Sequence, residues 1–352
     1  MDRANPEMLK LARESRELTQ KALADLSGVD QGNISKYERS IIEVSDSALE
    51  KLSRALRYPV EFFMQQDEVR GIGSGCFYHR KRQSMPVGEL EIIQAKINIL
   101  RMQATRLIQG VDVDHDNRIH RLDINDGETA EGIARLVRAT WDLPLGPIRN
   151  LVRAIERAGA IVFRCSFGTK KLDAISQWCR GLPPMMFVNS DVPGDRARWN
   201  LAHELGHIVM HRIPSEDGER EADQFASEFL MPAREIAADL NDLNLQRAAM
   251  LKPYWKVSMQ ALVMKAHSLQ KITDTQKTRF FKQFSAEKMR TVEPDTVPIE
   301  KPTVLRDIID LYLNQMEYSV AELSRLVALE EDEFRRIYLT ENSEWSGLRV
   351  VM

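Results

Sequence analysis

"RWNLAHELGHIVMHR", residues 198–212, places two histidines and a glutamate on a short, largely apolar stretch near the middle of the chain. His203 and His207 are one helical turn apart, so on a helix their rings project side by side, near enough to share one zinc ion. Glu204, next to the first histidine, then points at a water on that ion. Composition alone would produce H-E-x-x-H in about one chain of this length in a hundred, so the spacing is moderately specific and a third ligand decides the matter. His211 lies one more turn along. Three successive turns of one straight helix spread their Cα atoms over about 12 Å, too far for three nitrogens to meet one ion through bonds near 2.0 Å.

The better source is the next helical stretch, "EREADQFASEFLMP", residues 219–232. Ala222, Phe225, Ala226 and Phe229 form a stripe with small residues that lets this helix approach the first one closely. Glu221 borders the stripe and can face the metal, with Glu219 and Asp223 as alternatives.

Together these two stretches resemble the ImmA/IrrE family of metallopeptidases, in which H-E-x-G-H is followed by E-A-[ND]-x-F-A-x-x-x-L-M-P. The matching residues are His203, Glu204, Gly206 and His207, then Glu221, Ala222, Asp223, Phe225, Ala226, Leu230, Met231 and Pro232. Similarity extends over the region from about 130 to 245, including "GAIVF" and "MFVN". The resemblance implies a zinc-dependent endopeptidase with His203, His207 and Glu221 as metal ligands and Glu204 as general base. It also implies a protein substrate of the repressor or antitoxin type, in a stress, prophage or mobile-element circuit. In such a site zinc lowers the pKa of a bound water and polarises the scissile carbonyl, while Glu204 takes the water's proton and hands it to the leaving amine. If residues 185–189 form the sheet edge beside the active helix, an extended substrate can add there as a further strand. Tyr254, Arg198 and His211 are candidates for stabilising the oxyanion, with no spacing argument behind them.

Upstream, "LTQKALADLSGVDQGNISKYERS" (residues 18–40) reads as two short helices around a tight turn. Ala22, Leu23 and Leu26 are expected inward on the first helix, Gly28 supplies the turn, and Val29, Ile34 and Tyr37 continue the inner face. Gln31, Asn33, Ser35 and Lys36 then face outward, able to reach base edges and phosphates from a helix whose N-terminus enters a major groove, with Lys36 and Arg39 as the phosphate contacts. Thr19, Gln20, Leu23, Ala24, Gly28, Val29, Ile34, Ser35 and Glu38 resemble the XRE family of Cro/C1-type repressors, which implies double-stranded DNA as partner and adds Gln20 to the contacts. One departure stands out. Family members usually carry glycine after the Glu-Arg pair, where this chain has Ser40. A palindromic operator and a homodimer are expected.

The bulk properties agree with a modular protein. At 352 residues, two or three domains are expected, and the apolar fraction of 43% and charged fraction of 29% are those of a soluble globular chain. No apolar run approaches a membrane span, and the N-terminus lacks a signal-peptide core, so no membrane partner is expected. Three cysteines, Cys76, Cys165 and Cys179, are too few and scattered for a disulfide framework, which points to a cytoplasmic location and to core filling. A net charge of −3 confines nucleic-acid binding to a local surface.

The expected fold is α+β and mainly helical. Residues 1–68 form a helix-turn-helix bundle, and 69–127 a linker with a basic cluster and a long helix expected to serve dimerisation. Residues 128–245 form a zincin-like peptidase with a small sheet, its strands near 160–165, 174–178 and 185–189, preceded by a helix with Ile133, Leu136, Val137 and Trp141 inward. Residues 246–352 form a helical region. Within it "TVEPDTVPIEKP" reads as a proline-punctuated linker, and "SVAELSRLVALEEDEFRRIYL" repeats the helix-turn-helix pattern with Leu323, Leu326, Leu329 and Phe334. The second helix of that repeat begins with four carboxylates, Glu330 to Glu333, which DNA phosphates would repel, so packing or protein contact is its expected role. The aspartate-rich stretch holding His115 and His120 is expected to be solvated. The alternative to the enzyme is a non-catalytic transcription regulator or antitoxin that uses the peptidase fold for sensing or oligomerisation.

Overall fold

The computed structural model describes residues 3–71, 85–111, 119–122, 128–211, 216–290 and 292–340. Cys76, the basic cluster at 79–82 and His115 lie outside the described residues. The fold is α+β and mainly helical. The helices, in order, are α1 (Pro6–Ser15), α2 (Gln20–Ser27), α3 (Gln31–Glu38), α4 (Asp46–Leu56), α5 (Val60–Phe63), α6 (Val87–Gln109), α7 (Ala130–Thr140) and α8 (Leu151–Arg157). A three-stranded sheet follows, β1 (Ile161–Cys165), β2 (Ala174–Gln177) and β3 (Met185–Asn189). Beyond it come α9 (Gly194–Met210), α10 (Gly218–Leu230), α11 (Ala233–Ile236), α12 (Leu245–Trp255), α13 (Met259–Ser268), α14 (Asp274–Ala286), α15 (Val304–Asn314), α16 (Val320–Leu326) and α17 (Glu331–Phe334). Among the described residues no helix is long and apolar enough to cross a membrane.

Local chemistry sets the first module. The Thr19 hydroxyl accepts from the Ala22 amide to start α2, Gly28 closes it in the left-handed region at φ 68°, and the Asp30 carboxylate caps α3. Leu23, Val29, Ile34 and Tyr37 are buried as expected, but Leu26 is 56% exposed. In so short a helix, α3 and α4 cover only the central position, and the last turn stands clear of them. Leu136 on α7 is likewise exposed, because α7 turns Ile133, Ala134 and Val137 to its neighbours. Ser40 sits in the left-handed region at φ 59°. For a residue other than glycine that conformation costs about 1 kcal/mol.

In the sheet β3 is central. It pairs in parallel with β1, with Ile161 opposite Met185, and antiparallel with β2, with Ala174 opposite Val188. The conditional expectation that residues 185–189 form an edge is thus corrected: "MMFVN" is apolar on both faces, as suits a strand covered on both sides. Ile161, Phe163, Ile175, Met185 and Phe187 join one core with α1, α6 and α15, while Val162, Ala174, Met186 and Val188 lie in a second core with α9 and α10. The sheet is the wall shared by the two cores.

Helix α6 lies inside the first core. Its buried positions include Ile93, Ile97, Leu100 and Leu107 and also Lys96, Asn98, Arg101 and Gln103, and its neighbours are α1, α15 and α16. The face expected to pair with a second copy is therefore occupied by helices of the same chain.

In the acidic repeat Glu333 turns inward, while Glu330, Glu331 and Asp332 stay exposed. Arg16 donates to both oxygens of Glu333 at 2.6 and 2.7 Å, with both side chains 1% exposed, and Arg57 pairs with Asp332. Phosphate-repelling charge on α17 thus serves to dock the C-terminal end on the first module.

The stretch expected to be a linker is an anchored strap. Glu293 accepts from the Met259 and Gln260 amides at the start of α13 and from Lys252, which also pairs with Asp195 of α9. Glu300 accepts from the Leu151 and Val152 amides at the start of α8 and from Arg198 of α9. Between these anchors the strap crosses Gly194, where a Cβ would fall 2.8 Å from the Pro298 carbonyl oxygen and closer still to that of Val297. Gly194→Ala is expected to cost about 3 kcal/mol, since backbone on both sides must move. Denaturant melts check this against Gly88→Ala, where nothing lies within 4 Å and no loss is expected.

A candidate metal centre

Helix α9 runs for 17 residues and is buried along most of its length, with Leu201, Leu205 and Val209 in the second core. Helix α10 lies against it because the contact residues are small: a Cβ on Gly206 would meet the Phe225 ring at 3.2 Å and the Ala222 Cα at 3.3 Å. That closeness carries α10 carboxylates to the α9 histidines.

His203 and His207 are both 7% exposed, and their Nε2 atoms stand 3.0 Å apart. The carboxylate facing both is Glu219, with Oε1 at 3.4 Å from His207 Nε2 and Oε2 at 3.8 Å from His203 Nε2. His203, His207 and Glu219 are the metal-sized cluster found among the described residues. Glu221, the ligand implied by the resemblance, stands elsewhere, with Oε2 at 3.0 Å from His211 Nε2. Glu219 and Glu221 are about 200° apart around the helix axis and flank the packed stripe on opposite sides, so only one of them can face the two rings.

The outer nitrogens are engaged as well. His203 Nδ1 lies 2.9 Å from Asp223 Oδ1, and His207 Nδ1 lies 2.9 Å from His211 Nδ1. Burial, reinforced by His207, holds the His211 pKa below the ordinary imidazole range. A neutral His211 that donates from Nε2 to Glu221 accepts at Nδ1, so His207 donates from its own Nδ1. His203 donates from Nδ1 to Asp223. Both Nε2 lone pairs then face each other, an arrangement that a cation between them favours. Four-coordinate zinc with bonds near 2.0 Å holds its ligand atoms about 3.3 Å apart, and the three separations here bracket that value. The donor set fits zinc.

Glu204 is 3% exposed, and its Oε2 accepts from the Ser176 hydroxyl on β2 at 2.5 Å. Ser176 is a site residue that sequence reading missed, since nothing in "AISQ" separates a structural serine from one beneath the glutamate. Arg198 is directed away, donating to Glu300 and to the Ile148 and Lys256 carbonyls, and Tyr254 is 57% exposed on α12. Cys165 and Cys179 are buried free thiols, and burial pushes the Cys165 thiol up to about 12, as suits core filling.

On the first module Gln31, Lys36 and Arg39 are exposed along α3, and Asn33 and Ser35 are half-buried. Gln20 is tied to the scaffold. Its amide donates at 2.8 Å to Glu38, which Arg13 holds through two further hydrogen bonds.

Residues 9–63 match the helix-turn-helix family model, and residues 155–267 match the peptidase family model described as the IrrE N-terminal-like domain. No curated protein and no solved structure matches the chain. The chain therefore joins an XRE-type helix-turn-helix to an IrrE/ImmA-like peptidase domain. The second match takes in α9 and α10 and continues through α12 and most of α13, whereas α7, which packs on α10, precedes it.

Proposed function

We propose that the protein is a DNA-binding transcription regulator whose peptidase domain is a zinc-dependent endopeptidase acting on a repressor or antitoxin-like protein. The observation that carries this reading is the convergence of His203, His207 and Glu219 on one ion-sized gap, with Glu204, the residue after His203, buried on the same helix. His203, His207 and Glu219 would hold the zinc, which would supply an acidified water and a polarised scissile carbonyl. Glu204 accepts the proton of the attacking water at the oxygen not held by Ser176 and delivers it to the leaving nitrogen. Ser176 fixes the carboxylate, so its proton transfers need no large rearrangement. The edge strand that packs on α9 is β2, and an extended substrate segment laid along it would run beside the strand that carries Ser176, the partner of Glu204.

On DNA, Gln31, Asn33 and Ser35 read base edges while Lys36 and Arg39 hold phosphates. Gln20 acts indirectly, by holding Glu38 at the end of α3. The operator is palindromic if the protein acts as a homodimer, which would have to form through a surface other than α6.

The experiment is to incubate zinc-loaded protein with the proteins encoded beside its gene. One discrete cut in one of them is expected. A regulator without catalysis would bind its operator and cut nothing. Lys36→Ala should weaken operator binding evenly across sequences and lower the salt slope by about 1, read from titrations at several salt concentrations. An unchanged slope would remove Lys36 from the interface.

A further inference from the structure

We infer that His211 and Glu221 form a positioning pair that fixes the ring of His207, matching the hold of Asp223 on His203, and that neither residue is itself a ligand. The inference rests on the zinc reading above and names what orients its ligands. Glu221 Oε2, His211 Nε2, His211 Nδ1 and His207 Nδ1 follow one another at 3.0 and 2.9 Å across the imidazole, and an ion on His207 Nε2 would give that chain one polarity. The carboxylate accepts, the His211 ring passes the polarity through, and His207 donates outward. His207 is thereby held in the tautomer that presents Nε2 inward, and the acceptor behind it raises its basicity.

The geometry separates this pair from the ligands. His211 is one turn beyond His207 on the same helix, and its side chain, 4% exposed, uses one nitrogen on each neighbour. Glu221 is on the flank of α10 opposite Glu219. Asp223, one turn after Glu219, serves His203 directly at 2.9 Å, so each ligand ring has its own carboxylate, one direct and one relayed. The relay explains why a third histidine sits one turn past H-E-x-x-H although it cannot reach the ion.

The test uses the full chain, stripped of metal and titrated with Zn²⁺ against a competing chelator, and with Co²⁺ followed by visible absorption. The wild type is expected to bind one ion, and Glu219→Gln to lose tight binding. His211→Leu and Glu221→Leu should each keep the one-ion stoichiometry but weaken zinc about 10–100-fold and shift the cobalt bands. His211→Gln should recover most of the affinity, because its amide oxygen can accept from His207 while its NH2 donates to Glu221. Melting curves of the metal-free variants show that each one folds. The proposal is overturned if His211→Gln is as impaired as His211→Leu, or if both leucine variants bind like the wild type. It is overturned equally if Glu221→Leu loses zinc as completely as Glu219→Gln, which would make Glu221 a ligand. A wild type that takes up no zinc refutes the underlying metal reading, and is told apart because Glu219→Gln then changes nothing.

Discussion

Glu204→Gln is expected to reduce cleavage of the substrate by about 10²–10⁴-fold while leaving the zinc content unchanged. Glu204 follows His203 on α9 without belonging to the metal-sized cluster, and its Oε2 is held by Ser176 at 2.5 Å. A glutamine keeps the shape and an oxygen for Ser176 but cannot take a proton from water. The two readouts must therefore separate. Turnover by gel or mass spectrometry, set beside metal analysis of the same sample, checks this. Wild-type turnover would place the base elsewhere, and joint loss of metal and turnover would make Glu204 structural.

Glu333→Ala is expected to cost about 3–5 kcal/mol, the range for leaving a buried charge without its partner. Arg16 and Glu333 are each 1% exposed, the other hydrogen-bond and ring partners of Arg16, the Leu56 and Arg57 carbonyls and the Tyr58 ring at 4.3 Å, are neutral, and the nearby Asp332 is exposed and paired with Arg57. Replacing both residues together, Arg16→Met with Glu333→Leu, should recover most of the loss, because no charge then remains to desolvate. Glu331→Ala, which removes only an exposed contact to Arg335, should cost less than about 1 kcal/mol. Urea unfolding at neutral pH measures all three. A small effect of Glu333→Ala would mean that water reaches Arg16, and that the C-terminal end does not brace the DNA-binding module.

Much of the fold and of the candidate site was legible in the sequence. H-E-x-x-H gives the same juxtaposition on any helix, so His203, His207 and Glu204 needed no tertiary information. The helix-turn-helix followed from Thr19, Gly28 and Asp30, whose roles are local. The third member of the cluster was harder. Glu219 and Glu221 flank the α10 stripe at similar angular distances, and only the rotation of the packed helix chooses between them. Proline spacing suggested a linker at 291–302, but the acids that pin it, Glu293 and Glu300, find their partners more than 30 residues away in sequence. Similarly, the amphipathic pattern of α6 suggested a second copy, because periodicity reports a buried face without saying which chain buries it.

The most direct measurement is an anomalous difference map from crystals of the zinc-loaded protein, collected on both sides of the zinc absorption edge. One peak is predicted, about 2.0–2.2 Å from His203 Nε2, His207 Nε2 and a carboxylate oxygen of Glu219. Glu221 should still be bonded to His211. Density for an ion at any other position, or none between the two rings, would contradict the account.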